Sequence, residues 1–539
     1  MKKRQYDYLD RVFSVAHTVK NNLVAECKKA IAQMEQTRAY RNNHTLLKDK
    51  YEASKPLKEK IAKLEEKLKT CNDDCVKDKY TKELNLLQNQ LKKINAGKSK
   101  LLKVRNGLIK QYRLTGSDIE QRVKKHQKHY DRILHAHIAQ KISYEVKDAV
   151  SDYLYGSGKA VEFEPWSKRL SVSGKCNTTG ICFDGQNVFL GYHKKIKLGV
   201  AFDKKDPYGY QTNALKRHVH FCRIVRRPEA SGWRYFIQLT LSGEPPVKVS
   251  VTTGEILHAP GKSRVGIDIG PQTAAVVSDS DVKLHVLAPK VESIDKKLRK
   301  INRRMDRSRK ASNPRFFKDD GTIIPKNKLA PELLDKYGRR KWKKSKTYKK
   351  LEHKRLSLYS KQSNARIQAH NELTNKIICQ GTKIYVENMN FKALAKRAKE
   401  TTVNEDGKYK SKKRFGKSIA NKAPAKFIAI CEKKAFLYGG ELIKINTWEA
   451  KASQYVHDIK AFKKKKLSQR WQTMSDGTKI QRDLYSAFLI KNTDDTLSAF
   501  NQSQIEKEFP DFLKLHSAEI VRLSKVLSLP ASTGVKYIA

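Results

Sequence analysis

Positive charge is the property that most limits how this chain can fold. Its 539 residues include 113 Lys and Arg against 55 Asp and Glu, a formal net charge of +58. Repulsion on that scale opposes a compact state unless a polyanion neutralises it. Nucleic acid is the usual polyanion, because each neutralised phosphate releases a counterion. A membrane surface fits less well, since the basic residues run along the whole chain and no apolar run is long enough to cross a bilayer.

Length and composition predict an intracellular protein with several folded domains. A chain of 539 residues is too long for one ordinary domain, and its 39% hydrophobic residues are enough to build cores. The basic start is followed by Gln5-Tyr6-Asp7-Tyr8 and not by the apolar core of a secretion signal. Eight scattered cysteines suit a reducing cytosol, so we expect a cytoplasmic location. The sequence contains neither a P-loop nor a GxSxG motif, which leaves ATP-driven and serine-hydrolase chemistry without support.

The first 155 residues show the periodicity of helices. Apolar residues recur every three or four positions over residues 9–34. Two further apolar seams flank the turn-prone Asn72-Asp73-Asp74, which predicts an antiparallel helical hairpin. A third helix is predicted from Ser117, a plausible N-cap, to Tyr155.

A change to two-residue alternation marks a β-rich block after residue 158. Alternating side chains over residues 196–200, 218–222 and 233–241 each predict a strand. A small β-barrel is the arrangement we expect. The block also contains residue types that bind zinc, although alternation on one barrel face explains them without metal: His218, His220, Cys222, Cys176 and Cys182.

From Arg264 onward, short strands mix with helices. Strands are predicted at residues 265–269, 274–278, 284–287, 384–387 and 442–445. Three strands, a basic helical insert, then strand–helix–strand–helix is the order of an RNase H-like α/β domain. The chain is therefore predicted to be a multidomain α+β protein. Its expected parts are a helical lobe at residues 1–157, a β-barrel domain at 158–262 and the α/β domain at 263–539.

Three carboxylates occupy informative positions in this α/β domain. Asp268 follows an apolar strand, Glu387 ends a second strand and Asp483 opens a helix. Singly, these are ordinary residues for turns, strand ends and helix starts. Together, they can meet at one sheet edge, where three carboxylates repel each other unless divalent cations lie among them. We therefore predict that Asp268, Glu387 and Asp483 hold two Mg²⁺ or Mn²⁺ ions, which clamp the attacking and leaving oxygens of a phosphodiester.

The sequence around these residues resembles a known family. It is similar to TnpB, the transposon-encoded ancestor of type V CRISPR effectors, and to those effectors. The similarity covers the α/β domain well as far as residue 490, the β block loosely and the first 120 residues hardly at all. Three stretches resemble the three RuvC motifs in order, and two more look like family counterparts: residues 265–270, 384–390 and 483–490, then 298–305 and 426–439.

The resemblance implies an RNA-guided DNA endonuclease that cuts with a single RuvC site. In such proteins a helical recognition lobe and a wedge-like barrel hold the guide RNA and the guide–target duplex. The protein reads a short flanking DNA motif, and base pairing reads the target. The implied partners are guide RNA, the double-stranded target and its displaced strand, with no membrane.

Basic segments are predicted to contact the nucleic acid. Residues 339–350 form a dense run of cations with two aromatics and no acid, and because repulsion makes a merely solvated face costly, the run is predicted to be a helix that contacts phosphates. Residues 463–470 have a similar composition. With two arginines from the stretch at 298–305, the predicted contacts are Arg303, Arg304, Arg339, Arg340, Lys341, Trp342, Lys343, Lys344, Lys349, Lys350, Lys463, Lys464, Lys465, Lys466 and Arg470.

The chain departs from the family pattern in two ways. Family members usually have two CxxC pairs of a zinc ribbon between the second and third RuvC motifs, whereas residues 450–482 contain no cysteine. We therefore expect a target-binding loop without zinc. The chain also begins in helix where the family has a barrel strand, so that strand is missing or supplied from elsewhere.

Two other functions stay open. The first is a nuclease-silent, RNA-guided DNA-binding repressor, although a silenced site would be expected to lose one of the three carboxylates. The second is an unguided RuvC-fold resolvase or transposase. Such an enzyme would not need the basic helices and barrel that precede the α/β domain.

Overall fold

The protein is a mixed α and β molecule of two compact units. Its structure, a computed structural model, describes residues 1–70, 73–156, 158–202, 205–335, 338–404, 407–409, 415–466, 468–527 and 529–538. Unit 1 comprises residues 1–204, 215–226 and 235–243, and unit 2 comprises 205–214, 227–234 and 244–539. The domain boundaries predicted at residues 157 and 262 stay predictions, and residue 157 lies outside the described residues.

Unit 1 begins with long helices. These are α1 (Lys3–Glu35), α2 (Arg38–Thr70), α3 (Asp74–Gln111), α4 (Gly116–His129) and α5 (Ala136–Leu154). Helices α2 and α3 pack against each other as the predicted hairpin. The Asp73 side chain accepts a hydrogen bond from the Cys75 amide at 2.9 Å and so caps α3. Asn72, also part of the predicted turn, lies outside the described residues.

The single helix predicted over residues 117–155 is wrong, because two helices occupy this region. Thr115 and Asp118 form a capping box that starts α4 before the predicted cap. Asp131 and Arg132 then have φ values of 50°, a left-handed conformation that ends the helix. His135 restarts it as α5 by accepting a hydrogen bond from the His137 amide at 3.2 Å.

The strands of unit 1 form two three-stranded sheets. They are β1 (Ser171–Ser173), β2 (Gly180–Phe183), β3 (Asn187–Gly191), β4 (Ile196–Gly199), β5 (Val219–Glu229) and β6 (Gly232–Leu241), of which residues 227–234 at the β5–β6 turn belong to unit 2. Helix α6 (Tyr210–Leu215) lies between β4 and β5 in sequence, and all of it but Leu215 belongs to unit 2. The sheet orders are β2-β3-β4 and β1-β5-β6. The predicted barrel is wrong, since the described strands do not close. Helices cover the sheets instead: Phe13 of α1 packs on Tyr235 with ring centroids 5.8 Å apart, and one core contains residues of α1, α5 and both sheets.

Unit 2 is built on a five-stranded sheet of order β11-β10-β7-β8-β9. Its strands are β7 (Arg264–Ile269), β8 (Thr273–Val277), β9 (Val282–Val286), β10 (Lys383–Glu387) and β11 (Glu441–Ile445). Strands β10 and β11 continue the sheet parallel to β7, whereas β8 is antiparallel to both of its neighbours. These strands lie within a few residues of their predicted positions.

Helices cover both faces of this sheet. Besides most of α6, the helices of unit 2 are α7 (Asp295–Ser312), α8 (Lys346–Gln380), α9 (Phe391–Ala395), α10 (Gly416–Lys422), α11 (Pro424–Leu437), α12 (Thr447–Ala450), α13 (Arg482–Lys491) and α14 (Gln502–Ser524). Of these, α7 packs on α8 in a small core apart from the sheet. On one face, Ile267 shares a core with Ile377 of α8 and Phe427 of α11. On the other face, Tyr385 shares a core with Phe488 of α13 and with the buried apolar residues of α14. The described elements follow the order predicted from residue 264 onward.

The segment between α12 and α13 consists of two short hairpins. The first pairs β12 (Tyr455–Val456) with β13 (Ala461–Phe462), and the second pairs β14 (Trp471–Thr473) with β15 (Lys479–Gln481). Asp458 joins them, because its Oδ2 accepts hydrogen bonds from the amide and the hydroxyl of Ser475, both at 2.7 Å.

No helix in the described ranges combines the length and the apolar composition that crossing a bilayer requires.

Candidate active site

Strand register brings Asp268 and Glu387 next to each other. Strand β10 pairs in parallel with β7, and Val386 lies opposite Ile267. Asp268 and Glu387 are the residues that follow these two, so they occupy adjacent positions on strands that lie about 4.8 Å apart. Both are at the carboxyl ends of their strands and therefore at the same edge of the sheet.

Side-chain alternation directs both carboxylates toward α13. Gly266 faces this helix, since a Cβ there would clash with the Ala487 carbonyl oxygen and lie 2.5 Å from the Lys491 amide nitrogen. Tyr385 belongs to the core that contains α13. Residues two positions apart share a face of a strand, so Asp268 and Glu387 point to the side occupied by α13.

Asp483 joins the two strand carboxylates from the first turn of α13. It lies one helical turn before Ala487, or about 6 Å along the axis, which matches the roughly 7 Å between Gly266 and Asp268 along the strand. Gln481 starts the helix at this point, because its side chain accepts a hydrogen bond from the Leu484 amide at 2.8 Å. The negative charge of Asp483 contributes to the raised pKa of Asp268, which is consistent with this end of the helix facing the carboxyl end of β7.

The electrostatics of the cluster are those of crowded carboxylates. Burial raises the pKa of Asp268 well above its ordinary value, and the charges of Glu387 and Asp483 add to the rise while Arg482 opposes it. Burial also raises the pKa of Glu387 to about 7. Both carboxylates are only partly exposed to solvent. Negative charge held this way is relieved by a cation or by a proton.

Oxygen ligands and mutual repulsion make the three carboxylates suitable for hard divalent cations such as Mg²⁺ or Mn²⁺. In the described ranges, no three His, Cys, Asp or Glu side chains are arranged as a metal-binding group. The three carboxylates therefore suit such cations by the chemistry of their donor oxygens and by their negative charge.

Arg482 is a site residue that the sequence analysis did not single out. Its guanidinium lies 3.5 Å from Oδ1 of Asp483, and its side chain is only 12% exposed. Its Nη1 donates to the Gln469 carbonyl at 3.0 Å, and its amide donates to the Arg470 carbonyl at 2.9 Å. Arg482 thus connects the basic loop at residues 463–470 to the start of α13. One arginine in so basic a sequence gives no signal that could have identified it.

The predicted basic loop lies close to this arginine. Lys463, Lys464 and Lys466 are exposed, and Arg470 is half-buried. The Lys465 ammonium is buried, and none of the described residues forms a hydrogen bond with it. Burial, followed by the charges of Arg482 and Lys463, lowers the pKa of Lys465 to about 8. The loop thus brings positive charge beside the start of α13.

Helix α7 presents Arg303 and Arg304 to solvent. The opposite side of the helix is held by Ile301 and Met305, which pack on Leu351 of α8. The two arginines belong to a groove of about 840 Å³. All of the groove's lining residues come from α7, and all but one are cations: Lys296, Arg299, Lys300, Arg303, Arg304, Asp306, Arg307 and Lys310.

The run at residues 339–350 is only partly the continuous helix that was predicted. Helix α8 begins at Lys346, with the Ser345 side chain accepting from the Tyr348 amide at 3.0 Å. Residues 339–345 are non-helical, because Trp342 packs on Phe316 at 4.7 Å between centroids and the Lys343 amide donates to Asn313.

The seven cations of this run that were predicted to contact nucleic acid divide into two groups. Four have partners within the protein: Arg339 with Asp335, Arg340 with the Ile324 carbonyl, Lys341 with the Glu332 carbonyl and Lys344 with Glu352. Lys343, Lys349 and Lys350 are exposed. These three are the better placed to contact phosphates.

Four of the five possible zinc-binding residues of the β-rich block make contacts of other kinds. Cys222 Sγ donates to Asn177 Oδ1 at 3.0 Å, and Cys176 Sγ lies 3.5 Å from His137 Nδ1. His218 and His220 pack edge to face, with centroids 5.2 Å apart.

No protein-family model matches this chain, and no curated protein matches it either. Its function is therefore inferred from its own residues and their geometry.

Proposed function

We propose that this protein is an RNA-guided DNA endonuclease of the TnpB and compact type V effector kind, with a RuvC-like, RNase H-type domain in residues 263–539. One observation carries the proposal. Asp268, Glu387 and Asp483, chosen from the sequence as a set, come from two adjacent strand ends and one helix start on the same face of one sheet.

Each of the three carboxylates would hold divalent cations through its oxygens. When bound, two such ions supply an activated water and neutralise the leaving oxygen of a phosphodiester. Arg482 positions Asp483 and keeps the basic loop against the site. Lys463, Lys464 and Lys466 would then contact phosphates that flank the scissile bond.

The guide and target are assigned to the basic surfaces. The groove on α7, in which Asp306 is the one acid among the lining residues, and the exposed lysines at residues 343, 349 and 350 provide dense positive charge. A net charge of +58 calls for a large polyanion, and a guide–target duplex supplies one. The helices and sheets of unit 1 would hold the guide RNA and read the motif that flanks the target.

Sequencing the RNA that copurifies with the protein tests this proposal directly. The recovered RNA should contain a constant scaffold and a variable guide, and DNA that matches the guide should be cut in Mg²⁺. Cleavage of scrambled DNA without any RNA would replace the proposal with an unguided resolvase or transposase. Guided binding without cleavage by the native protein would replace it with a silent repressor.

A further inference from the structure

We infer that the helices of unit 1 form a binding pocket for one unpaired nucleotide. A cavity of about 680 Å³ lies where the end of α1 and the start of α2 meet the ends of α3 and α5. This volume falls within the range of roughly 300–1,000 Å³ typical of small-ligand sites. The pocket uses none of the three carboxylates, so the inference does not depend on the proposed nuclease.

Aromatic rings line the pocket. Tyr51 and Tyr155 are 55% and 53% exposed, although tyrosine usually buries most of its ring. The His44 ring stacks on Tyr40, with centroids 5.9 Å apart and planes inclined by 13°. Exposed rings around a cavity offer faces to a planar ligand, and every nucleobase has such a face.

Cations brace two of these rings. The Lys98 ammonium lies 4.5 Å from the centroid of Tyr51, and the Arg105 guanidinium lies 4.8 Å from that of Tyr40. Arg105 is buried and donates to Asn43 Oδ1 at 3.2 Å and to the Leu154 carbonyl at 3.0 Å. Because these contacts exist before any ligand arrives, little side-chain freedom remains to be lost on binding.

The charges at the pocket favour an anionic ligand. Arg41 and Lys48 are exposed at its rim, where Arg41 also donates to the Glu35 carbonyl at 3.2 Å and Lys48 lies 3.8 Å from Glu52. The one acid that lines the cavity, Glu35, accepts a hydrogen bond from the Tyr153 hydroxyl at 2.6 Å. Rings for a base beside cations for a phosphate match a nucleotide.

A cavity of about 680 Å³ between helices is far smaller than a nucleic-acid duplex, so the ligand we infer is an unpaired nucleotide. RNA and single-stranded DNA share this chemistry and differ by the 2′-hydroxyl.

Fluorescence of short oligonucleotides that contain 2-aminopurine measures stacking in this pocket. RNA and DNA versions are titrated in EDTA, at a salt concentration that suppresses non-specific phosphate binding. Tyr51→Ala and Tyr155→Ala should each weaken binding by about ten-fold and reduce the quenching of the probe. Tyr51→Phe keeps the ring and should bind like the native protein. Leu46→Ala is the matched control, since Leu46 is 50% exposed on the same helix and does not line the pocket.

Photocrosslinking with 4-thiouridine oligonucleotides identifies the contact site without any substitution. Crosslinks to α2 or α5 would support the pocket, and crosslinks confined to unit 2 would overturn it. Unchanged affinity and quenching in a folded Tyr51→Ala/Tyr155→Ala protein would overturn it as well. Tighter binding of RNA than of DNA identifies RNA as the source of the nucleotide, and the reverse identifies DNA. Loss of cleavage in other variants has no bearing on these outcomes.

Discussion

Unit 2 carries negative charge at the carboxylate edge of its sheet and positive charge on its basic insert, which consists of α7, α8 and the residues between them. The two regions hold their charges in different ways. At the edge, backbone register and one helix contact fix each of three acids. In the insert, exposed cations surround a small core of Ile301, Met305 and Leu351. A site built from single, defined positions fails when one residue changes. A surface built from many similar charges weakens by degrees.

The largest effect on cleavage should come from substitutions at the carboxylate edge of the sheet. Replacing Asp268, Glu387 or Asp483 by Ala should lower the cleavage rate by about a thousandfold or more, because a two-ion clamp fails as a unit. Binding of RNA and of matched DNA should persist, since other surfaces hold them. Parallel cleavage and filter-binding assays separate the two effects.

The control for this series is Glu441→Ala. Glu441 begins β11 at the opposite end of the same sheet, and its side chain is 59% exposed. The Glu441→Ala protein should cut DNA at the native rate. Cleavage that persists in Asp268→Ala would disprove the assigned site.

Gly266→Ala tests whether the edge depends on backbone contact. The added methyl group would clash with the Ala487 carbonyl oxygen and push α13 away from β7. We expect a loss of about 1–3 kcal/mol in the free energy of unfolding, as for other overpacked cores. Cleavage should fall too, since Asp483 moves with the helix.

Urea denaturation measures this change, with Gly107→Ala as the control. Gly107 lies inside α3, and a Cβ there would meet no atom within 4 Å. Alanine at that position should stabilise the helix by about 0.5–1 kcal/mol. Equal stability of the native protein and Gly266→Ala would show that α13 does not need the close approach.

The start of α13 should also make unit 2 sensitive to acid. His516 Nε2 accepts a hydrogen bond from the Gln481 amide at 3.0 Å, which requires a neutral ring nitrogen. Burial lowers the pKa of His516 to about 4, although nearby Glu519 opposes this shift. An unfolded histidine has a pKa of about 6.5, so the unfolded state gains the proton first as the pH falls.

Stability should therefore be intact above about pH 6.5 and should decline as the pH falls toward 4, by up to about 3 kcal/mol. Thermal unfolding across this range measures the loss. His285, whose pKa burial also lowers to about 4, should contribute in the same direction. In His516→Gln the loss between pH 6.5 and 4 should shrink. An unchanged pH profile in that variant would rule out His516 as a source.

Local pattern was enough to predict the sheet of unit 2 and the strand ends and helix start on which Asp268, Glu387 and Asp483 lie. Apolar runs specified the strands, and residues at the ends of parallel strands necessarily share an edge. The barrel was mispredicted, because alternation shows that a strand has two faces and not whether a helix or another strand covers them. Trp342 shows the same limit. Its partner Phe316 lies far from it in sequence, so composition alone suggested a helix.

The insert should respond by degrees. Changing Lys343, Lys349 and Lys350 together to Ala should weaken nucleic-acid binding and reduce the salt dependence by about one unit of slope for each lost phosphate contact. Each single change should weaken binding only a few-fold. Lys82→Ala on α3 is the control, since that exposed lysine pairs with Asp78 at 2.7 Å. Unchanged affinity and slope in the triple variant would leave the run a solvated surface.

The smallest effect should be that of a zinc-selective chelator, which we expect to change nothing. The loop between α12 and α13 contains no cysteine, so hydrogen bonds must perform the role that a zinc ribbon has in the resembling family. Asp458 joins the two hairpins through Ser475, and the His457 amide and ring both contact the Tyr485 hydroxyl, at 3.0 and 2.8 Å. Purified protein should therefore hold less than about one zinc per chain, and a zinc-selective chelator should leave its melting temperature unchanged.

Asp458→Ala should instead make the loop more susceptible to proteolysis, because it removes the bonds that join the hairpins. Stoichiometric zinc in elemental analysis, lost together with the folded loop on chelation, would show that a metal and not Asp458 holds this segment.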